Sequence, residues 1–249
     1  MKNLFPGALA ILSVAGFVGF LGVDVAAPVA AAPKAYTAAA PLDVIIEVRD
    51  SMFSDLAGLV NAGKMKFKKI RRQALFLAEV SNIISHADSK EWQAYEQKTR
   101  AELLNLAKAT KAKNAKEVKS LWSKVHEGAK GKPSAKANRG KGTPSYKLVA
   151  PLDAIMYITE DLFYAIEEQV EGKEFDKITK HAYLLAEVSN IVRFANEEGG
   201  DAWKGYADRA ATDFVALAKA SAAKDAKQVK SLFAKVETSC DSCHEKFRD

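Results

Sequence analysis

Cys240, Cys243 and His244 stand near the end of a 249-residue chain, and the two cysteines are its only thiols. Cys-X-X-Cys-His is the attachment signature of a c-type haem. The spacing follows from the reaction. Two thiols three residues apart on a helical turn can both add across the vinyl groups of one porphyrin. The adjacent histidine then lies under the iron and supplies an axial nitrogen. The residues predict one haem c (iron) per chain, with Cys240 and Cys243 as thioethers and His244 as proximal iron ligand.

Other chemistries fit less well. A thioredoxin-type redox pair needs a βαβ context, whereas the residues preceding Cys240 are helical in pattern. A disulfide across two intervening residues staples very little chain. A structural zinc site needs four ligands, which two cysteines and four scattered histidines supply poorly. No Ser/His/Asp arrangement, phosphate-cradling glycine loop or paired carboxylates rise above surface charge, so the expectation is a protein that is not an enzyme.

The elements that must position this tail come from an internal repeat. APLDVIIEVRD (40–50) returns as APLDAIMYITE (150–160), LAEVSNI (77–83) as LAEVSNI (185–191), and NLAKATKAKNAKEVKSLWSKV (105–125) as ALAKASAAKDAKQVKSLFAKV (216–236). Trp92 and Tyr95 return as Trp203 and Tyr206. A period above a hundred residues means one domain used twice rather than a solenoid of short units. In the second copy apolar residues recur at helical spacing in four sets, with alanine, lysine and glutamate between them. Gly172 ends the first set, and Gly199-Gly200 separates the second from the third. The expected fold class is all-α, with two tandem up-and-down four-helix bundles, residues 36–127 and 148–249. Between them, the Gly/Pro/Ser/Lys-rich residues 128–147 read as a flexible basic linker.

Lys2, the uncharged apolar run 4–22 and the small residues after it read as a signal peptide, residues 1–31, with cleavage before Ala32. An uncleaved anchor is the alternative, since the run nearly suffices to span a bilayer. Either way the rest is expected to be exported, periplasmic or equivalent. The formal charge of +6 hides an asymmetry: residues 108–147 carry net +10 and residues 148–249 net −6. Export and the lack of interleaved aromatics argue against nucleic acid. The basic stretch reads as a solvated face and linker, or as a docking surface for an acidic redox partner.

The tail CDSCHEKFRD (240–249) gives the motif, two residues, an aromatic (Phe247) and a basic residue (Arg248). In a four-helix bundle of about a hundred residues this resembles the cytochrome c-prime family, the class II c-type cytochromes. The first copy lacks the motif: Ala129, Lys132 and Pro133 align with Cys240, Cys243 and His244, so it should hold no covalent haem, with Trp92, Leu106 and Trp122 filling its core. The resemblance implies that a residue of the first helix covers the distal face of the iron. Met156 is a candidate sixth ligand, while Leu162 and Phe163 are distal-pocket candidates that would shield an open position. The resemblance also implies pairing through helices, as a homodimer or between the two copies. His181, aligned with Gln73, reads as a surface residue. His86 and His126 have no evident partners. Trp203 and Tyr206, mirrored in the haem-less copy, read as bundle core. Three functions stay open: an electron carrier with six-coordinate iron, a five-coordinate binder of small gases such as nitric oxide or carbon monoxide, and an adaptor for a redox partner.

Overall fold

The computed structural model describes residues 35–140, 142, 145–195 and 199–248; the expected signal peptide lies outside them. Among the described residues regular structure is helical: α1 Leu42–Asn61, α2 Phe67–Ile84, α3 Lys90–Lys111, α4 Ala115–Ala129, α5 Leu152–Gly172, α6 Phe175–Val192, α7 Gly200–Ala222 and α8 Ala226–Phe247. Local chemistry sets several boundaries. The side chains of Ser89, Asn114 and Asp225 accept the N–H of Trp92, Glu117 and Gln228 and so cap α3, α4 and α8. Gly200 opens α7 at φ +56°, where a side chain would be strained.

Contacts close each half into a ring: α1–α2–α3–α4–α1 and α5–α6–α7–α8–α5. These are the two antiparallel four-helix arrangements the repeat predicts. The halves also pack on each other, α2 against α5 and α1 against α6. One buried cluster runs through Ile45, Leu77 and Ile83 of the first half and Ile155, Leu184 and Ile191 of the second. A separate cluster around Ile166, Leu185, Phe214 and Val236 belongs to the second half.

The repeated LAEVSNI segments lie at the junction and exchange polar contacts with near two-fold symmetry. Glu187 accepts the backbone N–H of Ala39 and Ala40 and the Tyr36 hydroxyl, at 2.6, 3.0 and 2.8 Å. Glu79 accepts the N–H of Val149 and Ala150 and the Tyr146 hydroxyl, at 2.8, 2.9 and 2.7 Å. Asn190 donates to Thr37 O and Asn82 to Lys147 O. The caps at Pro41 and Pro151 supply no side-chain acceptor, so each half's second helix holds the strand of chain entering the other half's first helix. The rings of Tyr36 and Tyr146 meet at 4.6 Å on this axis.

Described residues of the stretch expected to be a flexible linker make contacts with the first half. The Trp92 indole donates to Ala135 O at 2.7 Å, and Arg139 donates to the carbonyls of Ala39 and Ala40. Ala137 and Tyr146 are buried. A composition rich in glycine, proline and lysine describes backbone freedom in an isolated chain, not the partners that later hold it.

Candidate functional site

α8 brings Cys240, Cys243 and His244 to the wall of a cavity of about 520 Å³ in the second half. That volume lies within the ~300–1,000 Å³ of cofactor and ligand pockets. The remaining walls are α5, α6 and α7, and the lining is predominantly apolar, with Phe163, Val188, Val192 and Phe214 among its residues. Spacing on one helix puts the three motif residues on a common face. The face is held by its neighbours. Asp213 of α7 is buried; Lys235 donates to it at 2.7 Å, and the Ser239 hydroxyl lies 3.4 Å away. This fixes the α8 turn immediately before Cys240. At its end, Phe247 makes edge contacts with Trp203 and Tyr206, at 5.3 and 5.9 Å.

Met156 and Phe163, both on α5, line the cavity. Phe163 stacks on Phe233 with 4.9 Å between centroids. Leu162, the other distal-pocket candidate, is not among the cavity's lining residues and packs against both apolar clusters. One residue of helix is about 100° of rotation, which separates its direction from that of Phe163. Trp203 and Tyr206, expected to be bundle core only, also line the cavity. Mirroring in the first half misled here, because the first half keeps a smaller version of the same cleft.

That smaller cleft explains what the first half has done with the space. Tyr95, Phe53, Ala129 and Lys132, the counterparts of Tyr206, Phe163, Cys240 and Cys243, line a cavity of about 260 Å³. Beside it Arg49, 0% exposed, pairs with Glu96, also 0% exposed, and with Asp50 at 2.8 Å. The Arg49 guanidinium lies 5.7–5.8 Å from the ring centroids of Phe53, Trp92 and Tyr95. Trp92, Leu106 and Trp122 are buried as expected, and Trp92 also faces the buried Arg49 guanidinium. In the second half Arg49 is replaced by Thr159 and Glu96 by Ala207, and both lie on the larger cavity's wall. Two large buried side chains have become two small ones where the thiols and imidazole are. The donor set and the space both fit a covalently held haem.

Protonation agrees. Burial, with the neighbouring Cys243, Asp241 and Asp213, pushes the Cys240 thiol up to about 11. Burial raises Cys243 as well. These are protonated thiols at neutral pH, unlike the low-pKa thiol of a disulfide oxidoreductase. Among the described residues no group of three or more His, Cys, Asp or Glu is arranged to hold a metal ion.

The other histidines differ from expectation. His181 is half-buried, with its Nδ1 3.1 Å from Gln169 Nε2, and burial holds its pKa low. It is less exposed than expected, and its aligned Gln73 is buried, donating to Met52 O. His86 sits against the rings of Tyr36 and Tyr146 at the junction, and His126 lies against Trp122. None of them lines the larger cavity. The roles of Glu79 and Glu187 went unread, although a glutamate inside an identically repeated apolar run was the available signal.

Among the described residues no helix is long and apolar enough to cross a membrane. Neither the curated proteins nor the solved structures contain a match to the chain. A family model described as cytochrome C' matches residues 198–248. Those residues comprise α7, α8 and the Cys-X-X-Cys-His motif, so the chain is cytochrome c-prime-like over the segment that builds the thiol-bearing wall.

Proposed function

We propose that this cytochrome c-prime-like chain is an exported monohaem electron carrier, not an enzyme. The observation that carries the reading is that Met156 of α5 lines the same cavity as Cys240, Cys243 and His244 of α8. Cys240 and Cys243 would hold haem c by thioethers, and His244 through a ring nitrogen and Met156 through its sulfur would bind the iron. The group supplies a one-electron iron couple when bound. The chain's own residues set its conditions. Phe163, Val188 and Phe214 give the cavity apolar surface that would lower the dielectric around a bound group, which disfavours the more highly charged oxidised state. A thioether ligand acts in the same direction, raising the potential. Asp153, Glu160, Glu237 and Asp241, also on the lining, oppose it. The apolar run of residues 4–22 supports export.

A pyridine haemochrome assay tests the covalent attachment. Wild type is expected to give one haem per chain, and Cys240→Ala together with Cys243→Ala to lose it. The ferrous spectrum tests the axial pair: a sharp low-spin alpha band is expected, converted to a broad high-spin spectrum by Met156→Ala. A second reading, binding of small neutral gases at five-coordinate iron, draws on the apolar surface that Phe163 gives the cavity. High-spin iron in the wild type, with rapid carbon monoxide binding indifferent to Met156→Ala, would replace the carrier by the gas binder.

A further inference from the structure

α5 carries six carboxylates over residues 152–172 and no basic side chain. Asp153, Tyr157, Glu160, Asp161, Tyr164 and Glu168 fall within one face of about 100° when each residue turns the helix by about 100°. Glu167 and Glu171 extend it. Among the described residues the exposed large hydrophobics are Tyr157, 40% exposed, and Tyr164, 55% exposed, and both lie on this stripe. Its inner edge is the cavity itself, because Asp153, Tyr157 and Glu160 also line the wall that Met156 and Phe163 share.

The first half is an internal control. At the aligned positions of α1, Tyr157 is Glu47, Tyr164 is Ser54, Asp161 is Ser51, Glu167 is Ala57 and Glu168 is Gly58. The half without the motif lacks both tyrosines; it keeps acids at Asp43 and Asp50, and its Glu47 stands where Tyr157 does, but it has none at the positions of Asp161, Glu167 and Glu168. Helix propensity does not account for this, since tyrosine and aspartate form helix less well than most alternatives. An aromatic pair within like charges is the composition of a recognition surface: rigid rings for contact, charges for steering.

We propose that this face of α5 is the docking surface for a redox protein whose own electron-exchanging edge is ringed by lysines. The proposal rests on the electron-carrier reading. The partner must be basic, because the stripe's charge is uniformly negative; the cations recorded against it are Arg72, stacked on Tyr157, and Arg248, 4.0 Å from Glu160. Some cations of the basic stretch at 108–147 are engaged within the protein. Lys132 bonds Asp50, Lys130 bonds Glu127, and Arg139 is tied to Ala39 and Ala40. A helix of 21 residues is about 31 Å long, enough for the small interfaces of transient redox encounters. In the encounter the partner's centre gains the one electron that this protein gives up, and no bond or proton moves.

The test uses the full-length haem-loaded protein, a small lysine-rich cytochrome c as probe, an acidic flavodoxin as control, and ferricyanide as a small oxidant. Binding is titrated calorimetrically at low salt, and electron exchange is followed by stopped flow against ionic strength. The basic probe is expected to bind, and to react at a rate that falls steeply with salt. The double change Asp161→Lys, Glu168→Lys should weaken binding and slow that reaction by about tenfold or more, with the absorption spectrum unchanged. Tyr164→Ala should weaken binding with little change in salt slope. Binding and rates unaffected by the charge reversal, or tighter binding of the flavodoxin, would overturn the proposal. Failure to exchange electrons even with ferricyanide would instead remove the carrier reading, and the binding titration would still decide the surface.

Discussion

Arg49 and Glu96 occupy space that the second half leaves open at Thr159 and Ala207. Their side chains are wholly buried, and the attraction between them must offset the loss of water from both. They are not equivalent. Arg49 also has Asp50 and three aromatic faces, while one oxygen of Glu96 has no hydrogen-bond partner. Arg49→Thr strands a buried carboxylate and should cost about 3–5 kcal/mol. Glu96→Ala leaves a cation that retains other partners and should cost less. The double change Arg49→Thr, Glu96→Ala, which copies the second half, should cost less than the sum of the two. Urea denaturation of the four proteins reads this cycle; additive costs, or a larger cost for Glu96→Ala, would contradict it. The motif triad was legible from residue types, because haem attachment has a local spacing. The Arg49 plug was not, because its meaning lies in a partner 47 positions away.

At the scale of the helix, α1 and α5 start without side-chain caps of their own, and the carboxylates of α6 and α2 accept the N–H groups of the segments leading into them. Helix existence was readable from periodicity, and several ends from Gly172 and Gly200. These distant caps were not, since nothing near Pro41 or Pro151 names its acceptor. Glu187 carries a pH consequence. Burial raises its pKa, although the Ala40 and Ala39 amides, the Tyr36 hydroxyl and Asn190 pull it down. The folded protein therefore holds a proton on Glu187 where the unfolded chain has released it, and stability falls as pH rises from the ordinary carboxylate range through the raised pKa. Glu187→Gln should flatten that fall. It should also cost about 1–3 kcal/mol throughout, because an amide NH₂ would replace an oxygen that accepts N–H or O–H. Thermal melts from pH 4 to 8 test both; an unchanged pH slope in the variant would count against the assignment.

At the scale of the molecule, the repeat announced two bundles and the family resemblance implied that they could pair, but neither named the faces that share a core. The duplicated segments gave the helix count and order within each half. They did not disclose that the LAEVSNI faces meet, because apolar positions on a helix read alike whether they face their own bundle or another. Joining Ile45, Leu77 and Ile83 to Ile155, Leu184 and Ile191 in one buried cluster couples the halves. Breaking either exposes the apolar face of both, so the full chain should unfold in one transition, with calorimetric and van't Hoff enthalpies equal. Two resolved transitions would mean the halves are thermodynamically separate. The same symmetry predicts how residues 145–249 behave alone. That fragment bares Ile155, Ile158, Leu184 and Ile191, and it leaves Glu187 without the Ala39, Ala40 and Tyr36 donors. A second copy of the fragment carries the aligned donors Val149, Ala150 and Tyr146, which already bind a glutamate in this geometry. The fragment should therefore sediment as a dimer. Glu187→Ala should weaken the dimer by at least about tenfold, since each of two symmetric sites loses its acceptor for buried donors. A fragment that sediments as a folded monomer would show that the second half needs no cover for this face.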